Sequence, residues 1–174
     1  SASVTTNIDA HNLCINTILH CGSEDQKQRY LIPGAKGEMI GAAAVTDPSG
    51  SSNFPEWTMR VDEVSDGYVL NGSKMWCSNS QAADFYTVYT KSKEGPGPMD
   101  CYIVEKDFPG LEMGNLEYVG SAGTNTGTIY LNDVRVPKEN KIPPADLYTA
   151  EWLALGYLDF AGDSDTAIAI RTAL

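Results

Sequence analysis

Histidine is almost missing from this sequence, which has only His11 and His20, and the four cysteines (Cys14, Cys21, Cys77 and Cys101) form no C-x-x-C pair. A zinc cluster needs grouped thiolates and imidazoles, so no metal site is expected. Basic residues are scarce too, with 12 Lys and Arg against 23 Asp and Glu, a formal charge of -11 and a pI near 4.4. Nucleic acid and anionic membranes reward Lys/Arg patches and repel acidic faces, so neither is a partner. The same shortage weighs against a phosphate-bearing ligand unless helix ends, backbone amides or another chain supply positive potential. No apolar run has membrane-spanning length, and the N-terminus lacks the charged-then-apolar pattern of a secretory signal. Reduced thiols in a cytosol-like compartment are the default reading.

What is present is the composition of a folded domain: 174 residues, 42% hydrophobic and 20% charged, with 16 Gly and 9 Pro pointing to many turns. From Asn7 to His20 the residues Ile8, Leu13, Ile15, Ile18 and Leu19 mark a helical stripe closed by Gly22. Cys14 and Cys21 lie two helical turns apart and read as small core-facing residues. Ser23 and Gln26 form a capping-box signature for a second helix, which Pro33-Gly34 ends after two turns. Residues 1–37 are thus a helical segment. From 38 to 137 the sequence turns to β-branched and aromatic runs at regular spacing, with a hairpin around Ser65-Asp66-Gly67 and a second tight turn at Asn71-Gly72. Nothing alternates strand with helix, which disfavours a Rossmann sheet. The expected class is α+β, a mainly antiparallel β-barrel or sandwich flanked by short helical segments. Residues 138–174 begin as a polar, proline-bearing connection. They then regain helical composition in "TAEWLALGYL" and "DSDTAIAIRTAL", with Asp163, Ser164 or Asp165 as a cap. An amphipathic helix at a chain end needs a packing partner, so the chain reads as a piece of a longer protein or as one completed by another subunit.

Three stretches fall in a fixed order: "VTDPSGSS", then "YVLNGSKMWCSN", then "VEKDFPGLEMG" leading into "NDVRVPKEN". That order resembles the middle β-domain of the acyl-CoA dehydrogenase family, whose pattern runs T-E-P-x-A-G-S-D, L-N-G-x-K-x-W-I-T-N, V-x-x-D-x-P-G and D-V-x-V-P-x-E-N. Upstream, "CGSEDQKQRYLIP" resembles the end of the family's preceding helical domain. Taken singly, Trp76 is a core aromatic, Ser78 a strand hydroxyl, and Pro109-Gly110 a turn; the joint spacing carries the likeness. There are departures. Asp47 stands for the usual Glu, Asn53 for Asp, Cys77-Ser78 for Ile-Thr, and Ala122 for the arginine of a G-x-R-x-S-x-T stretch.

The resemblance implies an FAD-dependent α,β-dehydrogenation of an acyl-CoA thioester, with electrons passing to an electron-transferring flavoprotein. Trp76 matches the tryptophan packed on the flavin ring, and Ser78 takes the place of the threonine whose hydroxyl meets the flavin N5 edge. Val45 and Thr46 match positions at the pyrimidine edge, and Ser52 a serine near the diphosphate and the acyl-CoA chain. An aromatic face offers dispersion to a planar ring, and a hydroxyl can stabilise developing charge. The catalytic base is expected outside this chain; Glu151, Asp159, Asp163 and Asp165 read better as surface or capping acids. The resemblance also implies a homo-oligomer for the full-length protein, in a bacterial cytoplasm or a mitochondrial matrix, the cytoplasm favoured. Oxidase, monooxygenase or desulfinase chemistry on the same fold, or a non-catalytic assembly module, are the alternatives. Period-two alternation puts Trp76 and Ser78 on one face and Cys77 on the other, packed inward as a small apolar residue.

Overall fold

The computed structural model describes residues 2–50, 54–92, 99–118 and 122–143. Helix α1 (Ala2–Cys21) is longer than its apolar stripe, and its buried side is Cys14, Ile15, Thr17, Ile18 and Cys21, with Ile8 and Leu19 exposed. Both cysteines face the core as their spacing predicts. The capping box forms as read: the Gln26 amide N–H donates to Ser23 Oγ at 3.2 Å and the Ser23 N–H to Gln26 Oε1 at 3.0 Å. The helical run it starts is continuous from α2 (Glu24–Gln26) through a π-turn (Lys27–Leu31) to α3 (Ile32–Ala35). Pro33 therefore does not end this helix. The π-turn shifts the bonding register just before it, with Ile32 N–H reaching back to Lys27 O, so the donor that proline lacks falls where the ladder is already irregular. Gly37, at φ 73°, makes the exit.

Seven strands follow: β1 (Gly41–Ala44), β2 (Arg60–Val64), β3 (Gly67–Cys77), β4 (Phe85–Lys91), β5 (Met99–Glu105), β6 (Leu111–Asn115) and β7 (Gly127–Pro137). They make two open sheets, β1-β4-β5 and β2-β3-β7-β6. Of barrel and sandwich, the sandwich is what forms; the sheets do not close on each other. The pairing is antiparallel except for β1 with β4, which run parallel. Sheet β1-β4-β5 is the middle layer. Tyr86, Val88, Tyr102 and Val104 pack from it against Leu70, Ile129, Leu131, Val134 and Val136 of the other sheet. Phe85, Tyr89, Cys101 and Ile103 pack from its opposite face against Cys14, Ile15 and Ile18 of α1. Burial on both sides explains why β4 reads "FYTVYT", continuously buried, where a half-exposed strand would alternate.

The hairpin around Ser65-Asp66 joins β2 to β3 as expected. Asn71-Gly72, however, is no turn. It lies inside β3, opposite a bulge in β7 where pairing steps from Leu70–Val134 to Gly72–Leu131 and Asp133 takes φ 52°. Asn71 clamps that bulge by donating from Nδ2 to Asp133 Oδ1 at 3.0 Å and accepting from Asp133 N–H at 2.9 Å. A side-chain amide beside a glycine stabilises irregular backbone inside a ladder as well as at a turn. The segments 149–158 and 163–174, read above as helical, lie outside the described residues.

Candidate functional site

At one end of the sandwich the close of β1 meets the close of β3. Met75 N–H donates to Thr46 O at 2.8 Å, Lys74 Nζ to Val45 O at 2.9 Å, and the Cys77 thiol to Ala43 O at 3.5 Å. Val45 and Thr46 are thereby brought beside Trp76 and Ser78. Their carbonyls accept from β3, and the Thr46 side chain is half-buried at this corner. Ser52 lies outside the described residues.

A second bulge controls Trp76. Pairing with β7 steps from Lys74–Ile129 to Cys77–Gly127, so β3 carries one extra residue, and Trp76 adopts φ 56°. Lys74 and Cys77 both point inward with two residues between them. Cys77 is buried as alternation predicts, but through a bulge that breaks the alternation, and β3 ends before Ser78. Trp76 is turned out of the sheet and left 55% exposed. A bulky residue in the left-handed region is uncommon, and an exposed one has no core packing to hold it there. Burial pushes the Cys77 thiol up to about 12, so it is an inert packing group.

Beneath this corner sits a buried pair that sequence reasoning missed. Lys74 is fully buried, with Nζ 3.7 Å from Asp47 Oδ2 and 3.7 Å from the centre of the Trp57 ring. Burial pulls Lys74 down to about 8 despite the opposing Asp47 charge. Asp47 accepts from Ser49 Oγ at 2.6 Å, Ser49 N at 3.1 Å, Thr58 Oγ1 at 3.0 Å, Thr58 N at 3.3 Å and Met59 N at 3.2 Å. Its burial alone would raise it, but these donors outweigh burial and hold it at about 2. The available signal was a lysine at an inward position of β3, with an aspartate three residues past the end of β1.

On the other side, Asn79 N–H donates to Thr124 O and Ser80 N–H to Asn125 O, while Asn79 Nδ2 donates to Asn7 O of α1 at 2.8 Å. These bonds lay residues 78–80 along 124–126 and set up a row of hydroxyls. Ser78 Oγ is 3.2 Å from Thr126 Oγ1, which is 2.8 Å from Thr124 Oγ1, which is 2.7 Å from the Tyr118 hydroxyl. Asn115, Leu116, Glu117, Tyr118, Asn125 and Thr126 line an open cleft of about 270 Å³ at the far end of that row. Among the described residues no group of His, Cys, Asp and Glu could hold a metal ion, and no helix is long and apolar enough to cross a membrane.

An outward aromatic face with a hydroxyl beside it fits a planar, polar-edged ring system such as a flavin, and nothing in the corner fits a metal. Comparison with known proteins agrees with that chemistry. The model described as acyl-CoA dehydrogenase, middle domain, matches residues 42–134, and that of the N-terminal domain matches residues 1–38. The mitochondrial 2-methylacyl-CoA dehydrogenase of Solanum tuberosum is 38% identical over 132 residues, covering 74% of this chain and 32% of that protein. The butyryl-CoA dehydrogenase structure from Megasphaera elsdenii superposes with a TM-score of 0.83 at 29% identity, covering 90% of this chain and 43% of that one. The structure titled "FAD complex of PigA" superposes at 0.77 with 26% identity, covering 82% and 38%. The chain spans about a third of the length of the curated relatives it matches.

Proposed function

The chain belongs to the acyl-CoA dehydrogenase family, and from that premise we propose that it forms the flavin-facing part of an FAD-dependent enzyme that dehydrogenates an acyl-CoA thioester. The observation that supports this most is Trp76, held outward by a bulge at a positive φ and flanked by the Ser78 hydroxyl. Trp76 would lie on the ring, Ser78 would meet its N5 edge, and Val45 and Thr46 would hold the pyrimidine edge, with Ser52 toward the diphosphate and acyl chain. FAD, when bound, supplies the hydride acceptor. The chain's own contribution is to bind, orient and keep water from one face of the ring; the α-proton would be removed by a carboxylate outside the described residues.

The domain limits we propose are 1–37, 38–137 and 138–174. The substrate is an acyl-CoA and the electron acceptor an electron-transferring flavoprotein. The complete protein is a homo-oligomer of the bacterial cytoplasm or the mitochondrial matrix, and relatives described as mitochondrial and relatives from bacteria support both settings. The test is to mix the complete gene product carrying this chain with FAD, a panel of acyl-CoAs and an artificial electron acceptor. Bleaching of the flavin band by at least one thioester is expected. No bleaching with any of them would sink the dehydrogenase reading.

A further inference from the structure

Lys74 is fully buried beneath the corner, in a chain that is short of basic residues. An ammonium has three donors and no acceptor, so the direction of each of its bonds is fixed by its chemistry. Nζ donates to Val45 O at 2.9 Å, while Asp47 Oδ2 and the centre of the Trp57 ring are each 3.7 Å away. A lysine placed only to neutralise Asp47 would sit on its carboxylate; this one sits on a peptide carbonyl instead. With these neighbours around it and no exposure to solvent, Nζ itself meets no ligand. Its charge reaches outward through the Val45–Thr46 peptide. That peptide is trans, so its N–H lies opposite its carbonyl, on the side away from Lys74. The ladder between β1 and β4 ends at Ala44 and Val88, and among the described residues none accepts from the Thr46 N–H.

We propose that Lys74 is a positioning residue for the flavin, whose buried ammonium, held on Val45 O, strengthens the Thr46 N–H as a donor to the pyrimidine edge of the ring. The proposal rests on the reading that Val45 and Thr46 meet that edge. Positive charge at a peptide oxygen draws electron density through the conjugated C–N bond, and a bond from a charged donor does so more strongly than one from a neutral donor. Lys74 and Asp47 together are neutral, so their field fades quickly with distance and is felt mainly by what Nζ touches. Asp47 is engaged by Ser49, Thr58 and Met59 as well, so it balances the ammonium without drawing it off Val45 O. The reduced ring gathers negative charge at its pyrimidine edge, and this chain, at a formal charge of -11, supplies little positive potential elsewhere. One polarised N–H at that edge offsets the shortage where an exposed cation would be screened by salt.

The experiment uses the complete gene product carrying this chain, as wild type and as K74M/D47N. The double substitution removes both charges together, so net charge is unchanged and neither partner is left buried alone. FAD labelled with carbon-13 at its pyrimidine carbonyls is taken up, and the carbonyl stretches are read by difference infrared spectroscopy. In K74M/D47N a pyrimidine carbonyl stretch should move to higher frequency, the sign of a weaker donor. The preference for reduced over oxidised flavin should fall about fivefold, while uptake of oxidised flavin stays within about threefold of wild type. Carbonyl bands and a preference that do not move would overturn the proposal, because a merely structural pair would leave both unchanged. A measurement on wild type alone does not depend on how the variant folds. In flavin-free protein at pH 7, labelled with nitrogen-15 lysine, Lys74 Nζ should resonate as an ammonium, and a neutral amine there would equally overturn the proposal. Wild type that takes up no flavin would overturn the functional reading and this proposal with it, whereas flavin bound with unmoved bands overturns the proposal alone.

Discussion

Trp76 stores strain where it is exposed. A side chain in the left-handed region costs about 1–2 kcal/mol, and Asn tolerates that region far better than Trp. We therefore expect Trp76→Asn to raise the stability of the flavin-free protein by about 1 kcal/mol, read by chemical denaturation, while flavin uptake falls at least tenfold. A stability that drops instead would mean that Trp76 is held by packing and not by the bulge. Asp47 gives the opposite case, a residue whose chemistry is wholly structural. Its pKa in the fold, about 2, lies below the ordinary 3.8. Its contribution is therefore present above pH 4 and lost as pH falls from about 4 to about 2, amounting to about 2 kcal/mol for a buried carboxylate. Asp47→Asn removes the charge that faces buried Lys74 and should destabilise by about 3 kcal/mol at pH 7. The acid slope over that window should shrink with it, which denaturant titrations at stepped pH would check. Lys74 has its own sign: its folded pKa of about 8 lies below the ordinary 10.5, so its charged form burdens the fold most below pH 8.

Gln26 shows how much an element's end can carry beyond its own helix. Besides closing the capping box, its Nε2 donates to Glu139 O at 2.7 Å and Lys141 O at 3.0 Å, tying the helical run to the segment beyond β7. That segment continues the pairing, since Ile142 N–H donates to Cys101 O on the outer edge of β5. Gln26→Ala loses a cap and two buried bonds, so a destabilisation of about 2 kcal/mol is expected. Gln26→Glu should retain the cap bond, yet lose the donors to 139 and 141, and it will separate the two contributions. The sequence made the capping box legible because that motif is local. The tie to residues 139 and 141 was illegible, because nothing in a glutamine's neighbourhood reports a partner more than a hundred residues away. Asn71-Gly72 is a similar case: the pair specifies irregular backbone, and only the register of β7 decides between a turn and a bulge. The end of the second helix was misplaced for a comparable reason, since a π-turn leaves no composition signal for Pro33 to be read against.

At the scale of the molecule, the helical segment, the β-rich body and the family motifs were readable because each is a pattern along the chain. Juxtaposition was not. Val45 and Thr46 reach Trp76 only through the Met75 and Lys74 bonds, and Ser78 reaches Tyr118 only because residues 78–80 lie along 124–126. The chain taken alone lacks basic residues for a diphosphate, with 12 Lys and Arg against 23 acids, so it should hold FAD weakly or not at all. A purified sample of this chain with a stable flavin absorption band would overturn that expectation.

The parallel pairing of β1 with β4 has a kinetic consequence. Parallel neighbours cannot be joined by a tight turn, and here the whole β2–β3 hairpin of the other sheet lies between them in sequence. Each sheet therefore contains local pairs, β4–β5 in one and β2–β3 and β6–β7 in the other, but neither is completed by local contacts alone. The middle layer can pair β4 with β5 locally, but β1 joins it only after a long loop closes, and that closure is favoured once the hairpin has formed and brought Met75 to Thr46. Lengthening the hairpin at Ser65-Asp66 should thus slow refolding, whereas Ile103→Val in β5 should mainly hasten unfolding, a contrast that stopped-flow folding and unfolding rates would resolve.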